Sequence, residues 1–420
     1  MITVNRGIHI LWHRIDEQAV VQSISYASAT ANSLLESVST GYEWIAIDTD
    51  APTTDNFIRR SEDNGETWQR GEEWVSREPL GDNRVLVRSL PAFYLDPATG
   101  WMLRAYFEHE ALLGVVSWDA ASPVSRTRKM YLQYSQDDGG TWSQPEQLVL
   151  SGDEYDEVHW ARDIRYGENS GVAMTDSTFT RPDGTIVLPF HNTVFHDDGP
   201  PSHEYCNACL LGRWRSHGAG IEWNIGEYVT LPLTRSVDGA DEPGVCMLPD
   251  GRIFMLIRAR TFPESSVEIP SAKHYAVSED GGMTWSDADM LRYEDRGALY
   301  SPASFGRVFV SSKNGRFYMM TNILDKPSYG CDPRTKLQIA EIDLDTLRVK
   351  RDSVAVIEQW HEGWQKQIRF SNFLWYEDRE TGNPMLYMTP CPGPVVGDTR
   401  RALDVNVPPH SYRYEICLPE

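Results

Sequence analysis

An eight-residue pattern, Ser-x-Asp-x-Gly-x-Thr-Trp, constrains this chain more than any other feature. It occurs at Ser61–Trp68, Ser135–Trp142 and Ser278–Trp285, and a worn copy from Ser216 to Trp223 keeps Ser, Gly220 and Trp. One match would carry little weight, but three in full and a fourth in part mark an internal repeat, which has to be read before anything else. The chemistry is that of a hairpin turn. Short Ser and Asp side chains bond nearby backbone groups, Gly accepts a positive φ, and Trp plugs the turn. Asp63, Asp137 and Asp280 are therefore structural residues and not catalytic candidates.

A second marker alternates with the first: a turn glycine followed by an apolar strand. Gly41, Gly100, Gly184, Gly251, Gly315 and Gly382 occupy it, at spacings of 59, 84, 67, 64 and 67 residues. Four short strands and their turns need about that length, so each unit reads as one propeller blade. The 14 Trp, 25 Pro and 31 Gly suit many short strands better than helices. The expectation is an all-β fold, a six-bladed β-propeller forming one domain over residues 1–420. A closing strand comes from residues 1–38 through Gly7-Ile-His-Ile-Leu-Trp12, and a seven-bladed form built from both termini is the alternative.

With 39 basic against 61 acidic residues the net charge is −22. Such a chain repels nucleic acid and anionic membranes, and no run approaches transmembrane length. An acidic ligand would need a focused cluster of arginines. The six cysteines are too sparse for a disulfide scaffold. Cys206-Asn-Ala-Cys209, with His203 upstream, has metal-like spacing but no second pair, so the thiols read as buried and no metal or cofactor is implied. The N-terminus shows no signal-peptide pattern. The chain as given reads as cytoplasmic, or as periplasmic or secreted if a signal peptide has been removed. Oligomeric state is not legible.

The octapeptides, known as Asp boxes, and their spacing resemble the sialidase (BNR/Asp-box) superfamily from about residue 85 onward. That resemblance implies a sugar carboxylate held by three arginines, a Tyr nucleophile activated by Glu, and an acid carboxyl group. Arg88, in Arg88-Ser-Leu-Pro91 ahead of Gly100, matches the first arginine. Glu242 and Arg258, sixteen apart around Gly251, match the Glu and the second arginine, and Arg334 in Pro333-Arg334-Thr matches the third. Three guanidiniums can grip a carboxylate through paired, charge-assisted bonds that lysine does not reproduce. The nucleophile position departs from the family: Arg369-Phe370-Ser371 has Phe370 where Tyr is expected, so the covalent step cannot run there. In the acid region, Phe107-Glu108-His109-Glu110, Glu108 keeps its place, Glu110 replaces an arginine, and the acid Asp has no clear counterpart.

His191, in Leu188-Pro-Phe-His191-Asn192, sits just beyond Gly184. Some sialidase-like propellers are polysaccharide lyases that use a His on such a strand together with a Tyr, and Tyr300 of Leu299-Tyr300-Ser301-Pro302 is the candidate partner. The resulting expectation is a glycosidase-like enzyme cleaving a carboxylated sugar (sialic, ulosonic or uronic) from an acidic oligosaccharide or polysaccharide. In it, Arg88, Arg258 and Arg334 bind substrate, Glu242 is base or charge stabiliser, and Glu110 or Glu108 is the acid. The alternatives are a β-eliminating lyase working through His191 and a non-catalytic glycan-binding propeller.

Overall fold

The structure, a computed structural model, describes residues 2–11, 19–40, 56–113, 123–124, 126–196, 202–216, 220–262, 269–392 and 406–420. The turn glycine expected at 41, Trp12 and residues 217–219 of the worn octapeptide lie outside them. Among the described residues the only helical pieces are two three-residue turns, Thr175–Ser177 and Arg351–Ser353. Everything else regular is antiparallel sheet, in six small sheets. The fold is an all-β, six-bladed β-propeller.

Blades 4 and 5 follow the grammar legible in the repeats. In blade 4 the strands Asp241–Met247, Ile253–Arg258, His274–Ser278 and Asp289–Met290 pair in that order. The turn glycine joins strands one and two, and the octapeptide joins strands three and four. Blade 5 repeats the plan with Arg307–Val310, Phe317–Thr321, Lys336–Ile342 and Ala355–Gln359. Gly100, Gly184, Gly251, Gly315 and Gly382 all carry φ between +65° and +90°, the region that only glycine enters without strain.

The three full octapeptides close by one set of bonds. Their Ser61, Ser135 and Ser278 hydroxyls each donate to the Asp carboxylate at 2.8 Å and accept the Gly N–H at 2.8–2.9 Å. The Asp then accepts both the N–H and the hydroxyl of the Thr. These bonds hold Asp63 and Asp137 down at about 2, with the threonine bonds the largest cause. In blade 5 the shorter turn at Asp343 uses the same device, accepting the Thr346 N–H and hydroxyl at 2.9 Å.

Central strands such as Ile253–Ile257 and Phe317–Thr321 are buried along their whole length. A strand covered on both faces reads as a continuous apolar run, without alternation. Phe254 of blade 4 meets Phe317 of blade 5 edge-on at 5.0 Å, each such ring contributing about 1.5–3 kcal/mol by burial. Cys206 and Cys209 are buried thiols without disulfides.

Blade 6 is completed by the two ends of the chain. Thr3–Ile10 pairs with Ser411–Cys417 in the register Thr3↔Cys417 and Gly7↔Arg413, beside Pro384–Met388 and Leu374–Glu377. Arg6 reaches Glu358 of blade 5 at 2.8 Å, and the same carboxylate takes the Tyr414 hydroxyl at 2.9 Å. Burial alone would raise the Glu358 pKa, but bonds from Arg6, the Gln359 N–H, His361 and Tyr414 hold it below its usual value.

Residue contacts divide the chain into two compact units. The first, residues 20–203 and 209–226, holds blades 1 to 3 apart from residues 204–208 of the strand Ser202–Trp214. The second, residues 1–19, 204–208 and 227–420, holds blades 4 to 6. Blade 2 departs from the repeat plan. It carries an added hairpin, Arg77–Gly81 and Arg84–Arg88, paired onto the C-terminal half of the long strand Met102–Leu112.

Candidate active site

In the second unit a carboxylate and several cations are drawn together where strands end. Strand one of blade 4 slips register between Asp241 and Gly244. The backbone packs closely at the end of the slip, where a Cβ on Gly244 would stand 2.6 Å from the Gly306 carbonyl. Glu242 lies in this bulge at φ +40°, a left-handed conformation that costs a non-glycine residue and tends to mark functional sites. Asp241 faces Arg258 across the strand pair. Arg258 Nη1 lies 2.7 Å from Glu242 Oε2 and 3.4 Å from Asp241 Oδ2, and its Nη2 donates to Cys331 Sγ at 3.9 Å. Burial opposes the charge on Arg258, yet Glu242 and Asp241 keep its pKa above the ordinary arginine value.

Arg334 comes to the same place from the loop ahead of Lys336–Ile342. Its Nε donates to the Cys331 carbonyl at 2.7 Å, Nη1 to Ser371 Oγ at 3.1 Å, and Nη2 to the Ala303 carbonyl at 2.6 Å. Burial, and next the Arg258 charge, push its pKa below the usual arginine value, with Arg369 acting in the same direction. Like charges are thus held within electrostatic reach of each other. Arg369 forms a two-pronged pair with Asp332, at 2.8 and 2.6 Å. Beneath them Lys273, fully buried, donates to the Ser304 carbonyl. Burial and then Arg258 drive its amine well below lysine's ordinary range.

Phe370 is completely buried, in a cluster with Ile368 and Phe373, and its N–H bonds the Arg334 carbonyl at 2.8 Å. The residue standing where a tyrosine hydroxyl is expected therefore serves the core and the backbone ladder. Tyr300, half-buried, bridges by backbone to Ala272 and Leu324, next in sequence to Lys273 and Ile323.

The other expected site residues lie in the first unit. Arg88 ends the added hairpin, four residues ahead of the strand Ala92–Leu95 that leads to Gly100. Its Nε donates to Glu108 at 2.6 Å and its Nη2 to Glu78 at 3.0 Å, so two carboxylates already answer its charge. Glu110, two residues along the same strand, accepts the Tyr166 hydroxyl at 2.7 Å and pairs with Arg84 at 3.2 Å. Burial, followed by this bond, raises the Tyr166 pKa, so its hydroxyl keeps its proton. His191 is buried on the strand Ile186–His196 opposite Val172.

The structure therefore brings Glu242, Arg258 and Arg334 together, and separately Arg88 with Glu108. Sequence reasoning passed over Lys273, Asp332 and Arg369. The available signals were a lysine opening a buried strand and an arginine beside Phe370 in the very segment where the nucleophile is missing.

Comparison with known proteins agrees with this geometry at the level of fold and family. A curated relative, "Sialidase" from Bacteroides fragilis, is 26% identical over 249 residues, covering 56% of this chain and 38% of its own length. The chain thus spans well under half of that relative. The NanB sialidase of Streptococcus pneumoniae superposes with a TM-score of 0.56 at 12% identity, covering 97% of this chain and 70% of that one. The intramolecular trans-sialidase of Ruminococcus gnavus, solved with oseltamivir carboxylate, gives 0.53 at 12% identity and 97% coverage of both. Residues 55–354 match the family described as BNR repeat-like domain. The chain belongs to that family, as a sialidase-like β-propeller.

Proposed function

We propose that this protein is a glycoside hydrolase-type enzyme that binds a carboxylated sugar through Arg258 and Arg334 and uses Glu242 to activate water. The observation that carries the reading is the gathering of Arg258, Arg334 and Arg369 around Cys331 and Asp332. Arg334 is held, largely buried, against the charges of Arg258 and Arg369. An incoming carboxylate relieves that repulsion and gains charge-assisted hydrogen bonds in a site of low dielectric. The names of the relatives, sialidases among them, support a glycan substrate.

Glu242, set in its bulge and oriented by the Asp241–Arg258 pair, is the carboxylate at hand. With Phe370 buried and Ser371 Oγ accepting from Arg334, no hydroxyl with an adjacent base stands in the nucleophile segment. Single displacement by water fits these residues better than a covalent intermediate.

The test is a screen of sialylated and uronate-containing oligosaccharides, read for new reducing ends and for ultraviolet-absorbing unsaturated products. Glu242→Gln is expected to lower kcat by about 10²–10⁴-fold while binding survives. A trapped glycosyl-enzyme would refute single displacement. Unsaturated product abolished by His191→Ala would make the chain a lyase, and binding without turnover would make it a lectin.

A further inference from the structure

Three guanidiniums of the second unit meet at two consecutive residues, Cys331 and Asp332. Arg258 Nη2 contacts Cys331 Sγ, Arg334 Nε donates to the Cys331 carbonyl, and Arg369 grips the Asp332 carboxylate. We propose that Arg369 is a specificity-determining residue of this site, supplying the third guanidinium for a sugar carboxylate and aimed by Asp332. The inference rests on the acidic-sugar reading above and deepens it.

The hydrogen-bond geometry carries the case. A guanidinium offers two edges for fork-to-fork pairing. Asp332 takes the Nε and Nη2 edge of Arg369, which fixes the plane of the group and leaves Nη1 without a protein acceptor among the described residues. Arg334, by contrast, spends a donor from each of its three nitrogens on Cys331, Ser371 and Ala303. Arg258 is turned toward Glu242 and Asp241. With 26% of its side chain exposed against 16% for Arg258, Arg369 is the easier of the two to reach from solvent.

Local charge agrees. Arg369 faces one carboxylate and has Arg334 beside it. Arg88 in the first unit faces two carboxylates, Glu78 and Glu108. An anion approaching Arg88 meets two carboxylates, whereas one approaching Arg369 meets one, offset by the Arg334 charge. The position also follows the departure in sequence: Arg369 precedes Phe370 directly, in the segment that has given up its tyrosine.

The experiment measures binding by titration calorimetry of sialyl- and uronyl-oligosaccharides and of the same sugars with the carboxyl group reduced to an alcohol. The readout is the ratio of acid to reduced-sugar affinity within each purified variant. Arg369→Met is expected to cut the ratio about tenfold or more, the worth of a hydrogen bond to a charged group. Arg369→Lys keeps the charge and a pair with Asp332, so it folds as the parent does and is expected to fall in between. Arg316→Met, at a remote exposed ion pair, is expected to leave the ratio unchanged. A wild-type preference for the acid that survives Arg369→Met, or is lost in Arg88→Met instead, overturns this assignment alone. A wild type with no preference for the acid overturns the acidic-sugar reading itself.

Discussion

At Lys273 an amine has exchanged its hydration shell for the Ser304 carbonyl and the neighbourhood of Arg258. Its folded pKa lies well below the unfolded value of about 10.4. Between those two values the unfolded chain binds more protons, so stability is lowest below the folded pKa and rises as pH climbs toward the unfolded one. Lys273→Met is expected to stabilise the protein at pH 7 by about 1–2 kcal/mol and to flatten the rise between pH 7 and 9.5. Urea midpoints at the two pH values read both effects; a variant less stable at pH 7, with the rise intact, would show that the amine contributes net stability. Glu242 and Arg258 were legible because a fixed spacing around one turn glycine carried them. Lys273 and Arg369 were not, since a cation inside a site looks the same in sequence as one at the surface. Only the fold reveals what surrounds it.

Among the elements, turns were the most legible parts. A turn chemistry that needs Ser, Asp and Gly at fixed offsets leaves a mark that strands of interchangeable apolar residues do not. The hairpin of blade 2 shows the limit. Its turn residues Asp82 and Asn83 both take positive φ, at 51° and 58°, as a two-residue type I′ hairpin requires. The pair is a weaker signal than Asn-Gly, and it went unread, so the hairpin that ends at Arg88 was not foreseen. The closing strand was legible as an apolar stretch near Gly7, and its worth is testable. Deleting residues 1–10 removes seven paired positions and the Arg6–Glu358 bridge. It is expected to lower the melting temperature by roughly 5–10 °C and to promote association through the bared edge of Ser411–Cys417. An unchanged melting temperature would mean that blade 6 stands on three strands.

For the molecule as a whole, acid should act first through buried histidines. Burial and then Arg235 push His274 down to about 4, and burial and then Arg128 push His109 to about 3. Both are neutral when folded and titrate near 6.5 when unfolded. The unfolded state therefore takes up more protons as pH falls from about 6.5 to 4, and stability is lost across that window. The octapeptide aspartates, at about 2, lose their contribution only below about pH 4. Relief of the net charge of −22 on acidification acts in the opposite direction, so the slope measures which effect wins. His274→Leu is expected to recover about 1–3 kcal/mol at pH 4 relative to pH 7; thermal melts running parallel to the wild type would exclude the histidine as the cause. Blade number was readable at this scale because glycine spacing counts blades directly. Which side chains share a site was not, because blades distant in sequence contribute to it.

The pairing of Thr3 with Cys417 also sets a timetable. During synthesis Thr3–Ile10 is made about 400 residues ahead of its partner Ser411–Cys417. At roughly 5–20 residues per second it waits about 20–80 s. Throughout that interval a strand edge is open to any neighbouring chain, and Asn5 and Arg6, both exposed on it, are the polar groups that discourage a wrong partner until the right one arrives.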